Sequence, residues 1–313
     1  MAKQIIAIAG AGTMGASIAQ VYAQCGHEVV LYDLFPLGLG KGKDLITLNQ
    51  ETAVAEGKLT AAQSAELLGR IHFTTELADF ARADFVIEAI LERMDVKHAF
   101  WAEASSLVRA DAILTSNTSG LSLSEIATAV IRPERFCGMH WINPPHIVPL
   151  VEVIKGDKTS DETAQAVYES ALAAGKKPVM VQKDAKGFVL NRLQFAVLRE
   201  AMHIVENGIA SPEDVDNVFK YGLGMRYAAI GPFETADLGG LDVFYNIASY
   251  LLADLSDEKA VPELLAARYQ AGDYGVKSGR GFYDYSDGKD EAAIRRRDKM
   301  FLKLAECLYG GED

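Results

Sequence analysis

The chain has 313 residues, of which 49% are hydrophobic and 24% charged, and its formal net charge is −12 at pH 7. This length predicts about two domains of ~150 residues each, and the composition excludes a disordered chain, a collagen-like repeat and a disulfide scaffold. The acidic balance argues against general nucleic-acid binding and against adhesion to anionic membranes. Three widely separated cysteines, Cys25, Cys137 and Cys307, lack metal-ligand spacing and indicate a cytoplasmic protein without a metal site.

The uncharged stretch 5–26 is the one segment that could be mistaken for a membrane span or a signal peptide. Four glycines and two glutamines interrupt it, whereas a spanning helix needs ~20 predominantly apolar residues in a row. We therefore interpret it as a strand, a turn and a helix, and we predict no transmembrane or targeting segment.

Short apolar runs alternate with helical patterns in the first part of the chain. The runs predicted as strands are Ile5–Ala9, Glu28–Tyr32, Phe85–Ile87, Ala112–Thr115, Phe136–His140 and Val151–Ile154. Such alternation predicts βαβ units in an α/β domain with a doubly wound, mostly parallel sheet over residues 1–185. After a boundary near Asp184–Gly187 the apolar spacing is helical, so residues 186–313 are expected to form a mostly α-helical C-terminal domain.

Residues 37–70 are long for a connection between two strands of a nucleotide-binding unit. Apolar residues recur at helical spacing in its two halves, which predicts an inserted helical hairpin. The glycine-rich piece from Gly38 to Asp44 has the wrong spacing for a phosphate loop of the Walker type, and Asp44 stands where a Ser or Thr is required.

A Gly-x-Gly-x-x-Gly motif follows the first predicted strand and opens a helix. It comprises Gly10, Gly12, Thr13, Met14 and Gly15 with Ala11. In this context the first glycine permits a tight turn, the second lets the backbone approach a pyrophosphate, and the third lets helix and strand pack closely. The motif predicts a dinucleotide site. A glycine-rich turn without a ligand is the alternative.

Asp33 ends the second predicted strand, 23 residues after Gly10. A carboxylate at this position accepts hydrogen bonds from both ribose hydroxyls of adenosine and repels a 2′-phosphate. No Arg or Lys follows in Leu34, Phe35 or Pro36. The expected cofactor is therefore NAD rather than NADP, and a strand-end cap is the alternative role for Asp33.

Four later segments carry a more specific pattern, and their order and spacing closely resemble the L-3-hydroxyacyl-CoA dehydrogenase family. They are Glu88–Glu92 with Lys97, Ser116–Ser119, Gly138–Pro145 running on to Ile154, and Gly187–Arg192. The resemblance extends through nearly the whole chain, including residues 231–242 and 277–283. It implies a Rossmann-like NAD-binding domain followed by a helical domain for substrate binding and dimerisation.

The resemblance implies a role for each matching residue. His140 and Glu152 correspond to the catalytic pair, and a histidine suits removal of a hydroxyl proton because its pKa lies near working pH. Ser119 and Asn191 match positions that bind substrate oxygens, with a loop hydroxyl and a helix cap as the alternatives. The positions near the cofactor are Glu92, Lys97 and Asn117, although Glu92 and Lys97 could also form a surface ion pair.

The sequence indicates the type of reaction more clearly than the identity of the substrate. Acyl-CoA members of the family carry lysines in the hairpin, whereas this hairpin has only Lys41, Lys43 and Lys58 among several acidic residues. Residues 143–146 and 224–228 look like the carnitine, gulonate and pyridine-carboxylate dehydrogenase branches. There Arg226 would bind a free carboxylate through its planar guanidinium, unless it forms an interdomain or subunit ion pair.

We expect NAD-dependent oxidation of a short-chain L-3-hydroxyacyl-CoA, such as 3-hydroxybutyryl-CoA, as in fatty acid metabolism. The alternative substrate is a small free hydroxy acid or hydroxymethyl carboxylate, and a third hypothesis is a non-catalytic dinucleotide-binding relative.

The apolar side chains from residue 238 to residue 252 are more numerous than one helix face requires. They are Leu238, Leu241, Val243, Phe244, Ile247, Leu251 and Leu252. With the resemblance, this surplus predicts a homodimer, in which an interface between two copies buries it. An internal core of a larger helical domain is the alternative.

Overall fold

The computed structural model describes residues 3–55, 57 and 59–310, so Lys58 of the hairpin lies outside the described residues. The chain divides into two compact units, Met1–Arg192 and Leu193–Asp313.

One sheet runs through the first unit. Its strands are β1 (Ile5–Ala9), β2 (Glu28–Tyr32), β3 (Ile71–Thr74), β4 (Phe85–Glu88), β5 (Ile113–Ser116), β6 (Phe136–Trp141), β7 (Leu150–Ile154) and β8 (Lys177–Val181). Their order is β3-β2-β1-β4-β5-β6-β7-β8, and every neighbouring pair is parallel except β6 and β7. The strand order reverses between β1 and β4, and ligands of open α/β sheets bind at that point, outside the carboxyl ends of the strands.

The predicted α/β class with a doubly wound sheet is confirmed, with two additions. The strands β3 and β8 were not predicted, because β3 has only four residues and β8 opens with a lysine and a proline. The strand β7 is antiparallel to β6 because only residues 142–149 join them, which is too short for the crossover that a parallel pair needs.

The helices of the first unit cover both faces of the sheet. They are α1 (Thr13–Gln24), α2 (Pro36–Ala55), α3 (Ala61–Gly69), α4 (Met94–Leu107), α5 (Leu123–Ile126) and α6 (Asp161–Ala173). Alternate residues of β1 enter different cores: Ile8 packs in the core that includes α1, and Ala9 in the core that includes Trp101 of α4. Because successive side chains of a strand point to opposite faces of the sheet, β1 contributes to the buried core on each face.

The glycine-rich piece after Asp33 lies inside the first turns of α2 rather than in a loop. A Cβ atom on Gly42 would stand 2.5 Å from the carbonyl oxygen of Ala11. The absence of a side chain therefore lets α2 pack directly against the turn that follows β1.

The second unit is helical, as predicted. Its helices are α7 (Leu190–Glu206, which begins in the last residues of the first unit), α8 (Pro212–Val218), α9 (Gly224–Ala229), α10 (Pro232–Gly239), α11 (Leu241–Leu251), α12 (Glu263–Gln270) and α13 (Lys289–Tyr309). Ser211 caps α8 by accepting a hydrogen bond from the Asp214 N–H, and Pro212 occupies the first turn. None of the described helices combines the length and apolar character needed to cross a membrane.

Candidate active site

The turn after β1 brings strand, turn and helix into close contact. Gly10 has φ 94° and donates a hydrogen bond to the Tyr32 carbonyl over 2.8 Å. A Cβ at Gly10 would stand 2.5 Å from the Ala89 carbonyl oxygen, and one at Gly15 would overlap the Gly10 carbonyl oxygen. Both glycines are therefore required by backbone geometry as well as by the motif.

The N-terminus of α1 is open at this turn. The helix begins at Thr13, followed by Met14, with no acidic residue in its first turn and no side-chain cap on Gly12. Among the described residues, a Cβ atom on Gly12 would meet no neighbouring atom within 4 Å. The first N–H groups and the helix dipole thus face open space at the carboxyl end of β1, which fits the pyrophosphate of NAD.

Asp33 joins the end of β2 to this turn. Its Oδ2 accepts the Ala11 N–H and its Oδ1 accepts the Phe35 N–H, each over 2.9 Å. Each carboxylate oxygen keeps a second lone pair that can accept a ribose hydroxyl. The strand-end cap and the ribose contact are therefore compatible roles rather than alternatives.

His140 and Glu152 face each other across the antiparallel pair β6 and β7. The Nδ1 atom of His140 lies 2.8 Å from Oε2 of Glu152, and the two residues are 5% and 1% exposed. Burial raises the pKa of Glu152, but hydrogen bonds from His140 and from two backbone N–H groups outweigh it and hold the pKa below its ordinary value. Glu152 is therefore an acceptor, so Nδ1 of His140 carries the proton and Nε2 is the basic nitrogen.

The other oxygen of Glu152 holds the start of α7. Its Oε1 accepts the N–H groups of Val189 and Leu190, each over 2.9 Å. The next residue, Asn191, donates its Nδ2–H to the Ser119 carbonyl over 2.9 Å. The structure therefore brings the predicted substrate residues Ser119 and Asn191 together and joins them to the predicted pair of His140 and Glu152.

The ring of Phe188 packs near the imidazole of His140. Its ring centroid is 5.7 Å from that of His140, and its φ is 49°, a conformation uncommon for a bulky residue. This backbone conformation places a buried aromatic ring against His140 two residues before α7 begins.

Glu88 is a buried carboxylate that the sequence did not single out. It is 0% exposed at the end of β4, where Oε1 contacts Lys97 Nζ at 2.5 Å and Oε2 accepts the Ser116 hydroxyl over 2.7 Å. Lys97 and Glu92 do form an ion pair at 3.2 Å, but Lys97 is only 1% exposed and also contacts Glu88, so the pair is not confined to the surface. The signal available in the sequence was an acidic residue closing an otherwise apolar strand, with a lysine nine residues later.

Glu92 connects this buried cluster to Ser119. Its Oε2 lies 3.2 Å from Lys97 Nζ, and its Oε1 accepts the Ser119 N–H over 2.8 Å and the Thr118 hydroxyl over 2.7 Å. Burial raises the pKa of Glu92, but the Thr118 hydrogen bond, the Lys97 charge and the Ser119 N–H together hold it below the ordinary value. Glu92 thus orders the loop that presents Ser119.

Asn117 links the ends of β5 and β6. Its N–H donates to the Glu88 carbonyl over 2.7 Å, and its Oδ1 accepts the Trp141 N–H over 2.8 Å. Asn117 therefore connects the end of β4 to the end of β6, one residue after His140. Arg226 is an exposed residue of α9 in the second unit.

The described residues contain no group of three or more His, Cys, Asp or Glu side chains suited to a metal.

Two family models match the chain. The NAD-binding domain of 3-hydroxyacyl-CoA dehydrogenase matches residues 5–185, and the C-terminal domain of the same family matches residues 187–285. Together they cover the nucleotide turn, the His140–Glu152 pair and most of the helical unit.

Relatives with different substrates are similar to this chain. A probable 3-hydroxybutyryl-CoA dehydrogenase of Deinococcus radiodurans is 44% identical over 279 residues, which is 89% of this chain and 99% of that protein. The 5-formyl-3-hydroxy-2-methylpyridine 4-carboxylate 5-dehydrogenase of Mesorhizobium japonicum is 36% identical over 308 residues, 98% of this chain and 99% of that protein. A crystal structure of a 5-dehydrogenase for the same pyridine carboxylic acid, an NAD+-dependent dismutase, has a TM-score of 0.91 and 34% identity, and covers 99% of this chain and 100% of its own.

Proposed function

Because the chain belongs to the 3-hydroxyacyl-CoA dehydrogenase family, we propose that it oxidises the 3-hydroxyl of a short-chain L-3-hydroxyacyl-CoA to the 3-ketoacyl-CoA. The hydride passes to NAD and the hydroxyl proton to His140. The observation that carries this proposal is the buried contact between Nδ1 of His140 and Oε2 of Glu152 at 2.8 Å. A cytoplasmic role in fatty acid metabolism belongs to the same proposal.

The proton step follows from this pair. Nε2 of His140 takes the hydroxyl proton as the alcohol is oxidised, and Glu152 stabilises the resulting imidazolium because it faces Nδ1 as a carboxylate. Glu152 is also fixed by two backbone N–H groups, so it holds the ring in a single orientation. NAD, when bound, supplies the hydride acceptor.

Ser119 and Asn191 complete the proposed site. Asn191 is tied to the Ser119 carbonyl, and the Ser119 N–H is tied to Glu92, so the position of this loop is set from two sides. We assign both residues to the substrate oxygens, where a fixed geometry favours the reactive orientation.

A second candidate substrate is a small free hydroxy acid or hydroxymethyl carboxylate. The C-terminal family model ends at residue 285, before α13 begins at Lys289. The alignment with the pyridine-carboxylate enzyme covers 98% of the chain and so includes nearly all of α13, whereas the Deinococcus alignment leaves about a tenth of the chain unmatched. Arg226, an exposed cation, is the candidate partner for the free carboxylate.

A spectrophotometric NADH assay decides between these substrates. We expect turnover of 3-hydroxybutyryl-CoA, with carnitine, gulonate and a hydroxymethyl pyridine carboxylate as the competing free acids. Arg226→Met should then leave thioester activity almost unchanged, as should the control Lys259→Met, which removes another exposed cation of the second unit.

Strong turnover of a free acid would overturn the thioester proposal. If Arg226 binds that carboxylate, Arg226→Met should raise the KM for the free acid far more than the KM for the thioester, which has no carboxylate at that end. No turnover of any alcohol in the presence of NAD would contradict both substrates and favour a non-catalytic relative.

A further inference from the structure

The connection between the catalytic strands has an unusual shortage of hydrogen-bond donors. Residues 142–149 join β6, which carries His140, to β7, which carries Glu152. Three of these eight residues, Pro144, Pro145 and Pro149, have no backbone N–H. The segment nonetheless has buried backbone, since Pro144, Pro145 and Ile147 are buried, so its carbonyl groups need donors from elsewhere.

Lys176 supplies those donors. It directly precedes β8 and is 7% exposed. Its Nζ donates to the Pro145 carbonyl over 2.5 Å and to the Val148 carbonyl over 3.0 Å. The same nitrogen lies 5.5 Å from the ring centroid of Trp141, the residue after His140. One ammonium group therefore contacts both the end of β6 and two points of the connection to β7.

The chemistry of this contact favours a lysine. An ammonium has three N–H donors and no acceptor, which matches two surplus carbonyls and an aromatic face. Burial lowers the pKa of Lys176 to about 8, with the Cys25 thiol as a smaller opposing influence. Burial disfavours the charged form of Lys176, and its hydrogen bonds to the two carbonyl groups offset part of that cost.

We propose that Lys176 is a positioning residue, which orders residues 142–149 and thereby fixes His140 relative to Glu152. Lys176 does not touch the reacting atoms and acts through the backbone that joins the two catalytic strands. This inference rests on the proposed function, because it assumes that His140 and Glu152 are the catalytic pair.

The test compares Lys176→Met, which keeps the length of the side chain but removes its donors, with the wild-type chain. Lys183→Met is the matched control, since Lys183 is an exposed lysine two residues after β8. Hydrogen exchange of the peptide 142–149 is followed by mass spectrometry. The amides of Ile147 and Val148, which both donate to the Pro144 carbonyl, are the protected groups to watch.

We expect faster exchange in this peptide for Lys176→Met only, with unchanged exchange in β1 and α1. We also expect kcat to fall by ~10²-fold, the size of effect that a small misplacement of reacting groups produces. The dissociation constant for NADH should not move, because the nucleotide turn has no contact with Lys176 among the described residues. A loss of structural stability alone would not separate kcat from NADH binding in this way.

Lys176→Arg provides a second variant that keeps donors and charge, and it should retain more protection and more activity than Lys176→Met. Unchanged exchange in peptide 142–149, or unchanged kcat despite faster exchange, would overturn the proposal. If Lys176→Met does not fold, the proposal is tested by comparing Lys176→Arg with the wild type in the exchange of peptide 142–149 and in kcat. If the wild-type chain turns over no substrate, the proposed function falls, whereas the exchange data still decide whether Lys176 orders the segment.

Discussion

The imidazole of His140 is held in one tautomer by its neighbours. Glu152 faces Nδ1 at 2.8 Å, and Phe188 packs against the ring. A general base needs this fixed orientation as much as it needs a suitable pKa, because the proton must pass to one defined nitrogen.

Replacing His140 by Ala should lower kcat by about 10²–10⁴, the usual contribution of a general acid–base group. NADH binding, measured by fluorescence titration, should persist because Gly10, Gly12 and Asp33 are untouched. The control is His72→Ala, which removes an exposed histidine of the short strand β3. Full activity of His140→Ala would remove this residue from the mechanism.

We predict that Asp33 controls the choice between NAD and NADP in the proposed site. The double variant Asp33→Ser with Leu34→Arg replaces a carboxylate that repels a 2′-phosphate by a cation that binds it, so the preference for NAD over NADP should narrow. Steady-state kinetics with both cofactors measure this ratio. Leu34→Arg alone is the control, because it retains the carboxylate that bonds the Ala11 N–H. A wild-type chain that used NADP as well as NAD would contradict this role of Asp33.

At the scale of elements, side-chain contacts add to the backbone pairing where neighbouring strands end. Glu88 at the end of β4 bonds Ser116 at the end of β5, and Asn117 bonds the Trp141 N–H at the end of β6. These contacts lie at the carboxyl ends of the strands, which is where open α/β sheets bind their ligands.

The ion pair of Glu88 and Lys97 fastens α4 to β4. Lys97→Met should lower the free energy of unfolding by ~3–5 kcal/mol, because it leaves the Glu88 carboxylate buried without its cation. Urea unfolding followed by circular dichroism measures the change. The double variant Glu88→Gln with Lys97→Met should recover a large part of that loss, since no buried charge remains. Equal losses in the single and the double variant would contradict this account.

At the scale of the whole molecule, the second unit buries very little of its own apolar surface. Met202 is the only apolar side chain classed as buried between residues 193 and 310. All seven residues on which the predicted dimer rests are exposed in the single chain, from Leu251 at 39% to Leu238 at 74%. These residues therefore do not form an internal core of the helical unit. We propose that a second copy of the chain covers this apolar surface.

Light scattering at micromolar concentration should give twice the mass of the chain. Leu241→Glu should shift the mass towards the monomer, because a charge then has to be buried in the interface. Leu241 is the first residue of α11, where an acidic side chain suits the helix dipole, so the substitution should not disturb the helix itself. Leu172→Glu, on exposed α6 surface of the first unit, is the control. A monomeric wild-type chain would refute the dimer.

The α/β class, most of the parallel strands and the nucleotide turn could be predicted from local patterns in the amino-acid sequence. Apolar runs such as Ile5–Ala9 and Glu28–Tyr32 form the strands they predict, because a doubly covered parallel strand is apolar on both faces and its signal is local. The glycine motif is also local in sequence. A Cβ on Gly15 would overlap the Gly10 carbonyl oxygen within the same segment, whereas the close neighbour of Gly10 is Ala89, which only the folded chain brings there.

Which polar residues meet depends on the folded chain. The partners of Lys97 and Lys176 lie on other elements. The nine-residue spacing of Glu88 and Lys97 does not by itself show that this lysine is buried, and nothing local to Lys176 indicates its contact with the Val148 carbonyl. The edge strand β3 and the antiparallel direction of β7 likewise depend on pairing with distant segments. Local patterns report the burial of apolar side chains, whereas the burial of a charge is compensated by groups that only the folded chain brings within hydrogen-bond distance.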